Sequence, residues 1–232
     1  MALDTLIHLD QQLLLWFNGS DSPFLDQLML LFTSGLTWIP LYIALCYMIV
    51  KNNETMLQIS LVIGCALLCV LLTSLVDNGI VKPMTARLRP CNDPAFKELV
   101  NLADNYHGSG FSFFSAHAAN TMSLAVFLIL LVRSKMLSVT LVLWSLLNCW
   151  TRLYLGVHYP SDIVVGLLWG VVVGTVGYIV FHKLYFRFSP KINYISSQYT
   201  STGYAITDID VVMFALSATL TVCVLMSVPV FA

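Results

Sequence analysis

The stretch TRLYLGVHYPSDIVVGLLWGVVVGTVGYIVF, residues 151 to 181, changes character at Asp162. From Ile163 to Phe181 it carries no charge, and a run of about 20 apolar residues is what a helix needs to cross a bilayer. The residues before it, together with another apolar run from Met136 to Leu155, hold Arg152, His158 and Asp162. Ionisable groups at membrane depth are costly, so they are functional candidates by default.

Working outward, the whole chain shares this avoidance of charge. Of its 232 residues 58% are hydrophobic and 10% charged, against roughly 25% charged in soluble domains. A net charge of -1 provides no field that recruits nucleic acid, so the expected partners are the bilayer and a ligand within it. The N-terminus, MALDTLIHLD, has no Lys or Arg ahead of its apolar residues, unlike a cleaved signal peptide, and is expected to be retained. Five of six cysteines lie in apolar runs, with Cys91 in a polar loop, and no C-x-x-C pair occurs. They read as small buried hydrophobes, and no metal site or disulfide framework is expected.

Besides Met136–Leu155 and Ile163–Phe181, spans are expected at Leu28–Val50, Leu57–Val76 and Ile209–Phe231, with a shorter one at His117–Val132. Leu6, Leu9, Leu13, Trp16 and Phe17 recur near helical spacing, which fits an interfacial helix. The expected fold is all-α: a polytopic membrane bundle of six transmembrane helices with an N-terminal interfacial helix, one domain over residues 1–232. Six spans place Lys51, Arg133, Lys135, Lys183, Arg187 and Lys191 on one side, cytoplasmic by the positive-inside rule. Lys82, Arg87, Arg89, Lys97 and Arg152 fall on the other. Gly166, Gly170 and Gly174 form a small-residue stripe, which suits a dimer face or, more commonly, a close neighbour in the same bundle.

Three clusters share that second side. KPMTARLRP holds Lys82, Arg87 and Arg89, cations kept where the positive-inside rule depletes them; arginine's fork matches phosphate oxygens. GFSFFSAHAANT places Ser115 and His117 at a helix start, where unpaired N–H groups receive phosphate. In the third, Pro160 suits the first turn of a helix and Asp162 falls within that turn, four residues from His158. The acid can orient one ring nitrogen and leave the other as nucleophile or base. Taken singly, the plainer alternatives are a positive loop neutralising lipid head groups for the first, a serine cap with an interfacial histidine for the second and a salt-bridged anchor of helix ends for the third. Their convergence on one face of one bundle favours an anion site.

These residues resemble the type-2 phosphatidic acid phosphatase family, whose signature is Lys-x6-Arg-Pro, Pro-Ser-Gly-His and Ser-Arg-x5-His-x3-Asp. Lys82, Arg89 and Pro90 complete the first part. The second reads Phe114-Ser115-Ala116-His117 and the third Thr151-Arg152, His158, Asp162. Pro and Gly are thus replaced in the second part, and Thr stands for Ser in the third. The resemblance implies that His158 attacks phosphorus, Asp162 orients it and His117 protonates the leaving oxygen. It implies that Lys82, Arg89, Ser115 and Arg152 hold the phosphoryl oxygens, with the Ala116 N–H beside them. Arg87 lies outside the pattern and is a candidate for a second phosphate or head group. No metal and no cofactor is implied. The implied activity is a lipid phosphatase at the periplasmic face of a bacterial inner membrane, with lipid A the first candidate substrate. Undecaprenyl diphosphate and phosphatidylglycerol phosphate are alternatives, and a lipid-phosphate transporter or scramblase is the alternative of another class. The vanadate-dependent haloperoxidases share the signature on a soluble scaffold, which six spans disfavour. The long loop from Cys91 to Phe114, with aromatics and few charges, suits a large saccharolipid head group or, equally, something smaller.

Overall fold

Hydroxyl side chains cap most of the helices that the apolar runs form. The computed structural model describes residues 2–188 and 197–228. Helix α1 (Ala2–Phe17) is followed by α2 (Pro23–Thr33), which Ser22 caps. A 3-10 turn, Gly35–Trp38, leads into α3 (Ile39–Lys51). Thr55 and Gln58 form a reciprocal capping box at the start of α4 (Met56–Val76), pairing two otherwise orphaned N–H groups. A π-helical turn, Asp77–Val81, carries α4 into the short α5 (Lys82–Thr85). Ser115 caps α6 (Ala116–Val132) and Ser134 caps α7 (Lys135–Tyr154). Helices α8 (Pro160–Phe188) and α9 (Ile206–Met226) complete the order. Among the described residues the β-structure is an isolated bridge, Tyr199 to Ala205. The protein is an all-α bundle.

Helices α4, α7, α8 and α9 are long and apolar enough to cross a membrane; α2 and α3 together would make a fifth span, while α6 is shorter. The expected continuous span Leu28–Val50 is therefore corrected: it bends by 68° between α2 and Gly35–Lys51. Ser34 adopts an extended conformation there, and Pro40 lies in the first turn of α3, where its missing N–H costs nothing. The bend leaves the Thr33 hydroxyl facing the end of α7. Lys191 and the last residues of the expected Ile209–Phe231 span lie outside the described residues.

Helix α6 lies at the centre, with α4, α7 and α8 packed around it, so its short length is compensated by protein contacts. The glycine stripe faces it: a Cβ at Gly166, Gly170 or Gly174 would come within 2.7, 2.6 or 2.5 Å of the Ser115, Ala119 or Ser123 carbonyl oxygen. The stripe thus serves close packing inside one chain. Leu67, Leu71 and Leu75 of α4, with Leu168 and Val172 of α8, stay exposed, as lipid-facing residues do. Helix α1 is turned the same way. Leu6, Leu9, Leu13 and Trp16 face outward, and Asp10 and Leu14 are buried against the bundle.

Gly170→Leu is expected to push α8 off α6, costing at least about 1–3 kcal/mol, the usual penalty of overpacking. Thermal unfolding in detergent checks this; an unchanged midpoint would contradict the close approach.

Candidate active site

Helix α7 delivers Arg152 in its last turn, and a tight turn brings the chain back. Gly156, at φ +63°, occupies the left-handed region that favours glycine just past a helix end. Its N–H donates to Leu153 O, and the Val157 N–H donates to Arg152 O. This turn seats His158, 2% exposed, immediately ahead of α8. Asp162 then reaches back across the helix start. Its Oδ2 accepts the Tyr159 N–H at 2.9 Å, in the manner of a capping carboxylate, and lies 3.4 Å from His158 Nδ1.

The second ring nitrogen fixes the tautomer. His158 Nε2 lies 3.0 Å from Arg89 Nη1. A guanidinium only donates, so Nε2 is the acceptor and the ring proton is on Nδ1, facing Asp162. Burial is the main cause that pushes the His158 pKa down to about 3; Asp162 opposes it, while the charges of Arg89 and Arg152 add to it. The lone pair that a nucleophile requires is therefore present throughout the neutral range.

Around this ring the cations converge. Arg89 is 7% exposed; it donates from Nε to Ser109 O at 2.9 Å and from Nη1 to Val157 O at 3.0 Å. Burial, then the neighbouring Arg152, lowers its pKa. Arg152 reaches the Thr33 hydroxyl and, at 3.3 Å, the Tyr106 hydroxyl, while its buried Nε has no partner. Lys82 bends back along its helix to Asp77 at 2.6 Å and Asn78 at 3.1 Å. His117 occupies the first turn of α6, within the field of Arg152, Arg89 and Lys82. Like charges gathered in low dielectric repel unless an anion joins them.

Ser115 has a bridging position. Its Oγ accepts the Ala118 N–H and its N–H donates to the Asp162 carbonyl. It thereby ties α6 to α8 and leaves the first-turn N–H groups of Ala116 and His117 as the unpaired donors at that helix end. Arg87 is tied inward: Nη1 meets Asp162 Oδ1 at 2.7 Å and Ser161 Oγ at 2.8 Å, and Nη2 meets Asp10 Oδ2 at 2.6 Å. The guanidinium also stacks over the Tyr159 ring at 4.1 Å. It buttresses Asp162.

The 91–114 loop is built into the site. Ser112 donates its hydroxyl to Asp162 Oδ2 and its N–H to Arg87 O. A Cβ at Gly108 would fall 2.7 Å from Arg89 Cδ, so a side chain there would displace the end of Arg89. Cys91 is buried with Met29, Tyr154 and Leu155. Thr33, Asp10, Asp77, Tyr106 and Ser112 are site neighbours that no motif announced. Of these, Asp10 and Asp77 carried a signal, as carboxylates within or beside apolar runs.

Two outcomes are expected. In ¹⁵N-histidine NMR of the unliganded protein, the His158 ring stays neutral at pH 5, because its lowered pKa favours the uncharged form until about pH 3; a charged ring at pH 5 would contradict its surroundings. Asp10→Asn removes the negative charge that shares Arg87 with Asp162 and lowers kcat on the order of tenfold, the usual scale for a residue that orients a ligand through another. KM should hardly change, since Asp10 touches no substrate.

The PAP2 superfamily matches this chain over residues 61–186. Over 183 residues the chain is 40% identical to a lipid A 4'-phosphatase of Bacteroides thetaiotaomicron, covering 78% of this chain and 81% of the relative. It is 32% identical over 181 residues to a lipid A 4'-phosphatase of Porphyromonas gingivalis, covering 77% and 75%. No solved structure matches it. With the matched region containing every part of the cation and histidine cluster, this chain belongs to the PAP2 superfamily.

Proposed function

We propose that this protein is a lipid phosphatase that hydrolyses the 4′-phosphate of lipid A. The carrying observation is the His158 ring: its Nε2 accepts from Arg89, and its Nδ1 proton faces Asp162. A nucleophile aimed at a cluster of cations suits phosphoryl transfer, where stabilising charge on the phosphoryl oxygens dominates catalysis. Both curated relatives bear the lipid A 4'-phosphatase name, which favours lipid A over undecaprenyl diphosphate or phosphatidylglycerol phosphate.

In the first step His158 Nε2 attacks phosphorus. The N–P bond forms as the bond to the sugar oxygen breaks, and His117, which takes up a proton as the anionic substrate offsets the cations around it, gives that oxygen its proton. Asp162 stabilises the positive charge that develops on the ring. Arg89, Arg152, Lys82 and the Ala116 and His117 N–H groups hold the three phosphoryl oxygens. In the second step water attacks the phosphohistidine, returns a proton to His117 and releases inorganic phosphate. The cations supply the charge that Mg²⁺ supplies in other phosphotransferases. The membrane arrangement that fits is six spans in a bacterial inner membrane. The α2–α3 pair and α6 each count as one span, and the site opens to the periplasm.

Purified protein in detergent is expected to release phosphate from lipid A faster than from undecaprenyl diphosphate or phosphatidylglycerol phosphate. His158→Ala should reduce the rate by about a thousandfold or more while leaving the fold intact, and EDTA should leave the rate unchanged. No phosphate from any of the three lipids, or full activity in His158→Ala, would defeat the reading.

A further inference from the structure

Beside the phosphate cluster a cavity of about 540 Å³ runs between α3, α4, α6 and α7. Ala116 and His117 line its mouth, so it is continuous with the site. From His117 to Leu128 the lining residues of α6 cover roughly 17 Å at the α-helical rise, and polarity falls along that path. Asn78, Ser74, Asn120 and Asn148 lie toward the phosphate end; Leu45, Ile49, Ile63 and Leu128 lie deep. The deep end suits hydrocarbon. The polar end does not, unless its ligand carries polar atoms there.

Most of those polar groups are satisfied within the protein. Asn120 pairs with Thr73 and Ser74, and Thr121 with Ser145 at 2.8 Å. Asn148 is different. Its side chain is 2% exposed, and Nδ2 donates to Trp144 O at 2.9 Å. That bond fixes the amide orientation and leaves Oδ1 as an acceptor with no partner among the described residues. Oδ1 is not sealed off: it is reached from the cavity that Asn148 lines, and covering it with hydrocarbon would be costly. Asn148 also lies one turn of α7 from Arg152, roughly 6 Å along the helix axis. Oδ1 therefore awaits a donor about one helical turn deeper than the phosphate.

We propose that Asn148 makes this cavity selective for a substrate acyl chain bearing an N–H or O–H donor near its anchor, as an amide-linked or 3-hydroxylated chain does. The inference rests on the lipid phosphatase reading and adds the chemistry by which the same site chooses its lipid. A polyprenyl chain or a plain ester-linked fatty acyl chain brings no donor and buries Oδ1 against hydrocarbon. Sites built to hydrogen-bond a substrate reject analogues lacking the group far more strongly than apolar pockets reject a missing methylene.

The test compares phosphorylated glucosamine lipids in matched pairs: amide-linked against ester-linked chains, and 3-hydroxyacyl against unsubstituted chains of equal length. The wild-type protein is expected to favour at least one donor-bearing member by about tenfold or more in kcat/KM. Asn148→Leu should bring that ratio to near one, and Asn148→Asp, which keeps the acceptor, should retain it. Equal rates across both pairs in the wild type, or an undiminished ratio in Asn148→Leu, overturns the proposal. Should Asn148→Leu fail to fold, Asn148→Ala carries the same comparison. Should no lipid release phosphate, the phosphatase reading fails by itself. The dephosphorylated pairs, read by thermal stabilisation of wild type and variant, then still decide whether the cavity selects for the donor.

Discussion

One carboxylate organises this molecule. Asp162 is fully buried, and burying a carboxylate is tolerable only when donors surround it. They come from three separate segments: the Tyr159 N–H before α8, the Ser112 hydroxyl of the long loop and the Arg87 guanidinium after α5. Its backbone carbonyl in turn accepts the Ser115 N–H at the head of α6. Through Arg87 the chain of contacts extends to Asp10, so even the peripheral α1 bears on the group that orients His158. Four segments far apart in sequence are thus held by the solvation needs of a single side chain.

The opposing constraint is repulsion. Arg89, Arg152 and Lys82 are each less than a tenth exposed, and among the described residues Asp77 and Asp162 are the carboxylates close to them. Asp77 pairs with Lys82 through one oxygen and leaves the other without a partner, as Arg152 leaves its Nε. A bundle that needed only stability would replace such a set with apolar residues. Its retention at one end of the bundle, beside a histidine held neutral, is what ties the fold to phosphate chemistry.

Much of this was legible because lipid makes charge expensive, so each ionisable residue in an apolar chain stands out. Lys82, Arg89, His117, Arg152, His158 and Asp162 could be found by that criterion, and their shared face followed from counting spans. The bend at Ser34 escaped it. Leu28–Val50 is apolar throughout, and hydropathy carries no record of direction; the cue was only a serine-glycine pair with a proline soon after. Arg87 was visible, but its purpose depended on Asp10, which lies 77 residues earlier and joins it only once α1 docks. Ser112 had no signal, since a serine in a polar loop is ordinary until its carboxylate partner is known.

The hydrogen bond from Arg89 to His158 Nε2 has a consequence for the resting protein. That bond engages the lone pair that the proposed attack on phosphorus would use. An anionic phosphoryl group offers Arg89 a stronger acceptor than an imidazole, and by drawing the guanidinium to itself it exposes the nitrogen at the moment a phosphorus atom is alongside. A neutral ester entering the same space has no such inducement to offer, and meets a histidine already spoken for. On the proposed mechanism, recognition and arming are then one event, set by the competition of two acceptors for a single N–H.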